Sequence, residues 1–105
     1  GGAWVASREG EIANVSIHRR TAGSSGTTTV DVNKNGSTIF SNQANRPSVA
    51  YTDGDNAVDF APAIDGTSIS SGDYIEVQLD SKEGGNPKDL SISLEVRYLK
   101  YANLI

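Results

Sequence analysis

Nucleophilic or acid–base catalysis needs a base within reach of the group it activates, and this chain holds one histidine, His18, beside Arg19 and Arg20. His18 falls on the polar side of an alternating stretch, so it reads as a surface or interface side chain. There is no G-x-S-x-G elbow and no H-E-x-x-H pair. With no cysteine, thiolate nucleophiles, thiolate metal sites and disulfides are excluded. A glycosidase would need two carboxylates at a set separation. Thirteen acids guarantee some pair, so their number carries no signal. The chain is expected not to be an enzyme.

The acids are unevenly spread. Asp53, Asp55, Asp59, Asp65, Asp73, Glu76 and Asp80 follow one another with no Lys or Arg between them. Asp53-Gly54-Asp55 with Asp59 opens like a calcium loop, and hard cations want several carboxylate oxygens. The closing Glu of such a loop is replaced by Ile64. No cofactor is therefore expected, with Ca²⁺ the one cation this loop could attract. Tyr51 and Tyr74 flank the same acidic region. Rings that stack on a pyranose, with Asp53, Asp55 and Asp59 taking its hydroxyls, would make a glycan or partner patch. Trp4 is the only tryptophan and reads either as an anchor between sheets or as a stacking platform or subunit contact.

These residues need elements to hold them, and the pattern is one of strands. In 70–79, Ile75, Val77 and Leu79 alternate with Tyr74, Glu76 and Gln78, the period of a strand with one buried face. In 90–98, Leu90, Ile92, Leu94, Val96 and Tyr98 alternate with Ser91, Ser93, Glu95 and Arg97. The polar stretch 81–89 between them reads as a long hairpin tip. Upstream, 11–20 is a strand with Val15, Ile17 and Arg19 on one face, and Ile12-Ala13 breaks its alternation as a β-bulge would. Val30 and Val32 face inward in 27–33. Asn35-Gly36 then marks a type I′ hairpin, with a return strand over 37–41. Shorter strands are expected at 48–51 and 57–61, and 1–7 is expected to be a short first strand or an ordered arm. Val58 and Phe60 share one face of the last, and Asp59 takes the other. No 3.6-residue periodicity argues for a helix.

The whole reads as one all-β domain over 1–105, an antiparallel β-sandwich, jelly-roll-like, of about seven to nine short strands. Residues 1–7 form an expected arm, and 99–105 an expected strap. Apolar content of 36 % suits a modest core with many turns. A net charge of −4 argues against a nucleic-acid binder, and no apolar run is long enough to span a bilayer. Trp4, Tyr98, Leu99, Tyr101, Leu104 and Ile105 are the expected subunit contacts, because both ends of the chain are apolar. A homo-oligomer is the natural assembly.

The stretch 26–47, GTTTVDVNKNGSTIFSNQANRP, resembles a recurrent module in virion proteins of tailed bacteriophages: a TVDV strand, an NG turn, a TIF strand and a polar loop ending in Pro. SISSGDYIEVQLD, 68–80, resembles that module's second hallmark, Gly-Asp leading into an alternating strand. The same lead-in occurs in trimeric jelly rolls of complement- and tumour-necrosis-factor-like domains. The likeness runs from about Glu11 to Tyr98. It implies a non-enzymatic structural protein of the virion, a capsid decoration or a tail or fibre module, whose partners are other virion proteins. The alternatives are a carbohydrate-binding module for host-surface glycans and a strand-exchanging extracellular filament subunit.

Overall fold

Each strand forms where β-branched or aromatic residues alternate with polar ones, and the inward set from two sheets makes the core. The computed structural model describes residues 2–62 and 68–98. Among them are nine strands: β1 (Ala3–Val5), β2 (Gly10–Thr21), β3 (Thr27–Lys34), β4 (Ser37–Thr38), β5 (Ser48–Ala50), β6 (Ala57–Phe60), β7 (Ser68–Ile69), β8 (Tyr74–Ser81) and β9 (Lys88–Tyr98). Two single turns of 3₁₀-helix, Gln43–Asn45 and Tyr51–Asp53, are the only helical pieces described. The strands form an antiparallel β-sandwich. One sheet runs β1-β8-β3-β4, with β5 also on β3; the other is built on β2, with β9 along one edge and β6 and β7 along the opposite one.

β2 is the centre of its sheet. The bulge expected near Ile12-Ala13 is present as a register shift between Ile12 and Asn14 against β9. It switches the inward set from even to odd positions, because one inserted residue flips every later side chain. Ile12 is buried before it; Val15, Ile17 and Arg19 are buried after it. Facing them from β3 and β8 are Val30, Val32 and Ile75, all buried. One part of the core gathers Ile12, Val15, Val32, Ile39, Phe40, Ile69 and Ile75. The other gathers Ile17, Val30, Val49 and Ala57.

The Asn35-Gly36 hairpin forms as expected, with φ of 52° and 88°, the positive pair that a type I′ turn demands. The turn also docks on the Gly-Asp lead-in of β8. Asn35 donates its backbone N–H to the Tyr74 carbonyl, its side-chain oxygen accepts from the Tyr74 N–H at 2.8 Å, and its amide donates to Asp73. The N–H of Ser70, then the Asn35 amide, hold the Asp73 carboxyl below its ordinary range. The two motifs that carry the phage resemblance thus touch each other. Asn35→Pro removes the positive φ, the donated N–H and both side-chain bonds together. We expect a fall in Tm of roughly 10 °C or more, about 2 kcal/mol converted at the slope usual for this size, measured by thermal circular dichroism. An unchanged Tm would mean that this corner contributes nothing.

Three expectations need correction. First, 81–89 is not a hairpin tip. β8 pairs with β3 and β1, whereas β9 pairs with β2, so this link crosses from one sheet to the other. Its Glu83 is drawn inside by Arg19, and that burial carries the chain across. Second, the return strand is only Ser37–Thr38. Ile39 and Phe40 follow it, and both are buried although adjacent in sequence, because the chain leaves the alternating geometry once the Thr38 hydroxyl accepts from the Phe40 N–H. Third, Leu79 does not complete the buried face of β8. Ile75 is buried, Val77 half-buried and Leu79 48 % exposed, because the sandwich opens along that side.

The register also settles which face of β6 looks inward. Ala57 lies opposite Arg19 and Asp59 opposite Ile17, and cross-strand partners share a side. Val58 and Phe60 therefore face solvent with His18 and Ser16.

Candidate functional site

Two features stand out from the residues upward: a buried ion pair that locks one end of the sandwich, and an apolar seam that stays open along one side.

Arg19 is the third inward residue of β2 after the bulge. Its Nε donates to Glu83 Oε1 at 2.7 Å, its Nη2 to the Ala50 carbonyl at 2.8 Å, and its Nη1 to the Gly54 carbonyl. Glu83 Oε1 also accepts from the Thr28 hydroxyl, and Oε2 from the Gly23 N–H, both at 2.9 Å. The side chains of Arg19 and Glu83 are 1 % and 0 % exposed. Burial pushes the Glu83 carboxyl up. The hydrogen bonds from Arg19, Gly23 and Thr28, with the Arg19 charge, outweigh it and hold the group below its ordinary range. A Cβ at Gly23 would collide with the Gly84 carbonyl and lie 2.8 Å from the Glu83 Cβ, so only glycine lets the two loops meet. This network binds β2, β3, both flanking loops and the inter-sheet link. It is fully paired and closed to solvent, which makes it a structural lock rather than a reactive centre. Sequence reasoning placed Arg19 inward but left Glu83 in a solvated tip. No signal local to Glu83 could have found it; its partners Arg19, Gly23 and Thr28 are all distant in sequence.

The seam runs between β8 and β9. Inward residues Ile75, Val77 and Leu79 of one sheet face Leu90, Ile92, Leu94 and Val96 of the other. The β9 set is only half-buried. At one end a hollow of about 350 Å³ is lined by Trp4, Ile75, Val77, Leu94 and Val96 with Gly2 and Ala3. At the other end a smaller one, about 130 Å³, lies among Leu79, Leu90 and Pro87, beside Arg19, Thr28, Lys82, Lys88 and Asp89. Among the described residues β9 pairs with β2 alone, and β8 has a second partner over Tyr74–Glu76, from β1, extended by the Val77 N–H donating to the Gly2 carbonyl at 2.9 Å. Beyond Val77 in β8, and along the side of β9 away from β2, no strand among the described residues takes up the backbone groups beside this apolar slot. Edge strands left so are templates for pairing.

The expected site residues divide. Trp4 pairs opposite Ile75 and is 36 % exposed. It lines the seam instead of being sealed inside. Tyr98 ends β9 with the Arg8 guanidinium 5.1 Å from its ring centre. Leu99, Tyr101, Leu104 and Ile105, with the rest of the strap, lie outside the described residues. The three acids of the Asp53–Asp59 loop do not converge. Asp53 accepts from the Ala50 N–H, Asp55 from the Ala22 N–H and Asp59 from the Ser48 N–H, each spent on closing a different piece of chain. No group of three or more His, Cys, Asp or Glu side chains stands ready for a metal among the described residues. Tyr51 and Tyr74 are both exposed but lie far apart. Tyr51 follows Ala50, which pairs with Thr27 at one end of β3, while Tyr74 bonds Asn35 just past the other. Eight residues of strand separate the ends, about 25 Å at ~3.3 Å per residue. A single sugar cannot span that distance, so the two rings do not form one patch.

No protein-family model, curated protein or solved structure matches this chain.

Proposed function

We propose that this chain is a non-enzymatic structural module of a tailed-phage virion, a capsid decoration or a tail or fibre unit, acting by protein–protein assembly. The observation that carries the assembly reading is the seam. Among the described residues, a sandwich with a closed, fully satisfied polar lock at one end leaves an edge of β9, the end of β8 and a line of half-covered aliphatic side chains open along its side. Such a surface is costly in water and becomes favourable when a partner covers it, at roughly 25 cal/mol per Å² of apolar area. The particle context rests on the resemblance of 26–47 and 68–80 to virion modules, whose two hallmark turns here form one hydrogen-bonded corner.

The test is composition. Particles produced from the genome that encodes this chain, purified by density gradient, are expected to contain it in fixed stoichiometry by quantitative mass spectrometry. Antibodies against the chain should label them at regular positions in electron micrographs. Purified particles free of the chain would overturn the reading.

A further inference from the structure

We propose that Asn35 is a spontaneous modification site, deamidated through a cyclic imide with Gly36, and that docking of the hairpin on β8 confines the reaction to chains whose corner is open; the reaction needs no partner and is independent of the assembly reading. Three observations point to it.

The first is the pair itself. Asn35 is the one asparagine in the sequence that glycine follows. Each of the others precedes a residue with a side chain, which at Asn86 is a proline. The reaction needs the next backbone nitrogen to reach the carboxamide carbon. A side chain there crowds the approach, and proline has no N–H to give up. A Cβ built on Gly36 would meet nothing within 4 Å, and both residues are exposed, so the ring has room and water has access.

Water is the only co-reactant. The Gly36 nitrogen loses its proton and bonds to Asn35 Cγ, the Cγ–Nδ2 bond breaks, and ammonia leaves with that proton. Water then adds to one of the two carbonyl carbons of the imide and breaks its bond to the nitrogen. Opening at Cγ leaves aspartate at position 35. Opening at the backbone carbonyl leaves isoaspartate, with the chain running through Cγ and one backbone atom longer. Nothing is oxidised or reduced.

The second observation is the grip on the carboxamide. Its oxygen accepts from the Tyr74 N–H at 2.8 Å, and its nitrogen donates to Asp73 at 3.0 Å. To reach the Gly36 nitrogen the group must break both bonds and swing back over its own turn. The folded chain therefore reacts at the open-state rate multiplied by the fraction of time the corner is open, a fraction set by local stability.

The third is what the product meets. An oxygen replaces the Nδ2 that reached Asp73, so two carboxylates face each other where a donor met an acceptor, and like charges repel. Isoaspartate lengthens the two-residue turn on which the pairing of Lys34 with Ser37 depends. Neither product closes the corner as before. A chain that lingers open is marked irreversibly; a chain that closes promptly is not.

The experiment incubates the full chain at neutral pH, folded and in urea, beside a synthetic peptide of residues 31–39. Peptide mapping by mass spectrometry follows each asparagine by the mass gained when NH₂ becomes OH. We expect Asn35 to convert before any other asparagine in urea, and to convert roughly tenfold or more slowly in the folded chain than in the peptide. The product is then built directly. Asn35→Asp should lower Tm, and adding Asp73→Asn should restore most of the loss, because amide and carboxylate then change places. A folded chain that reacts as fast as the peptide would overturn the proposal, and so would another asparagine reacting first in urea. A double variant no more stable than Asn35→Asp, whether or not that single variant folds, would overturn it by removing the conflict between product and Asp73.

Discussion

Replacing Glu83 by Ala is expected to destabilise the domain by about 3–5 kcal/mol, the cost of leaving one partner of a buried ion pair uncompensated. For a domain whose total stability is on the order of 5–15 kcal/mol, that is a fall in Tm of at least about 12 °C. Arg19 would remain on two carbonyls, Ala50 and Gly54, but with no anion, and Gly23 N–H and the Thr28 hydroxyl would lose their acceptor. A double change, Arg19→Met with Glu83→Leu, should recover only part of the loss. It removes the stranded charge, yet it leaves those two carbonyls and the Gly23 N–H without partners. Urea unfolding of the parent, the single variant and the double variant measures this directly. A loss under 1 kcal/mol for Glu83→Ala would show that the pair is not the lock described. The pH dependence has a definite sign. The folded protein holds the Glu83 carboxyl below its ordinary value, so its contribution is fully present above the unfolded pKa of about 4.3 and is lost as pH falls through the lower folded value. Tm plotted from pH 7 to pH 3 should drop more steeply for the parent than for Glu83→Gln, which has no such proton to take up. Asp73 titrates with the same sign and is common to both proteins, so the difference between the curves reports Glu83.

The two phenylalanines supply the second large effect and its own control. Phe40 is 0 % exposed and packs in the cluster with Ile12, Val15, Val32, Ile39, Ile69 and Ile75. Phe40→Ala should cost about 3–5 kcal/mol, from lost transfer energy plus the cavity that a close-packed core cannot collapse. Phe60, 57 % exposed on the outer face of β6, should change stability by about 0.5 kcal/mol or less on the same substitution. Equal losses at both positions, by chemical denaturation, would refute the assigned facing of β6.

Residue-level patterns made much of this legible. The alternation of Val15, Ile17 and Arg19, the break at Ile12-Ala13 and the Asn35-Gly36 turn each have a local cause, namely side-chain period, inserted residue or positive φ, and each is found where the chain predicts it. What was not legible depends on partners distant in sequence. Phe40 and Phe60 lie in similar apolar–polar contexts, and only the pairing of Ile17 with Asp59 decides that Phe60 faces out. Glu83 sits in a stretch as polar as any loop, and only Arg19, 64 residues away, gives it a reason to be inside. The two long alternating strands β8 and β9 looked like a hairpin because neighbours in sequence usually pair; nothing local says that they join different sheets. For the candidate contact surface, apolar β9 was visible, but its lying at the edge of the sheet among the described residues was not. The grouping of Tyr51 with Tyr74 has the same origin: both lie by one acidic stretch in sequence, yet they sit at opposite ends of β3 in space.

The pairing of β2 with β9 has a temporal side. Gly10 lies against Tyr98 and Thr21 against Lys88, so the strand at the centre of its sheet leaves the ribosome some seventy to ninety residues before this partner does. β6 and β7 reach its other edge sooner, about forty to sixty residues after it, but the edge that β9 will cover stays open. Closing such distant contacts is slow, on the order of milliseconds to seconds for sandwich topologies, and the unpaired strand is a site for mispairing between nascent chains. A chaperone that shields β2 until residues 88–98 are made would raise the folded yield of this chain more than that of a helical domain of equal stability.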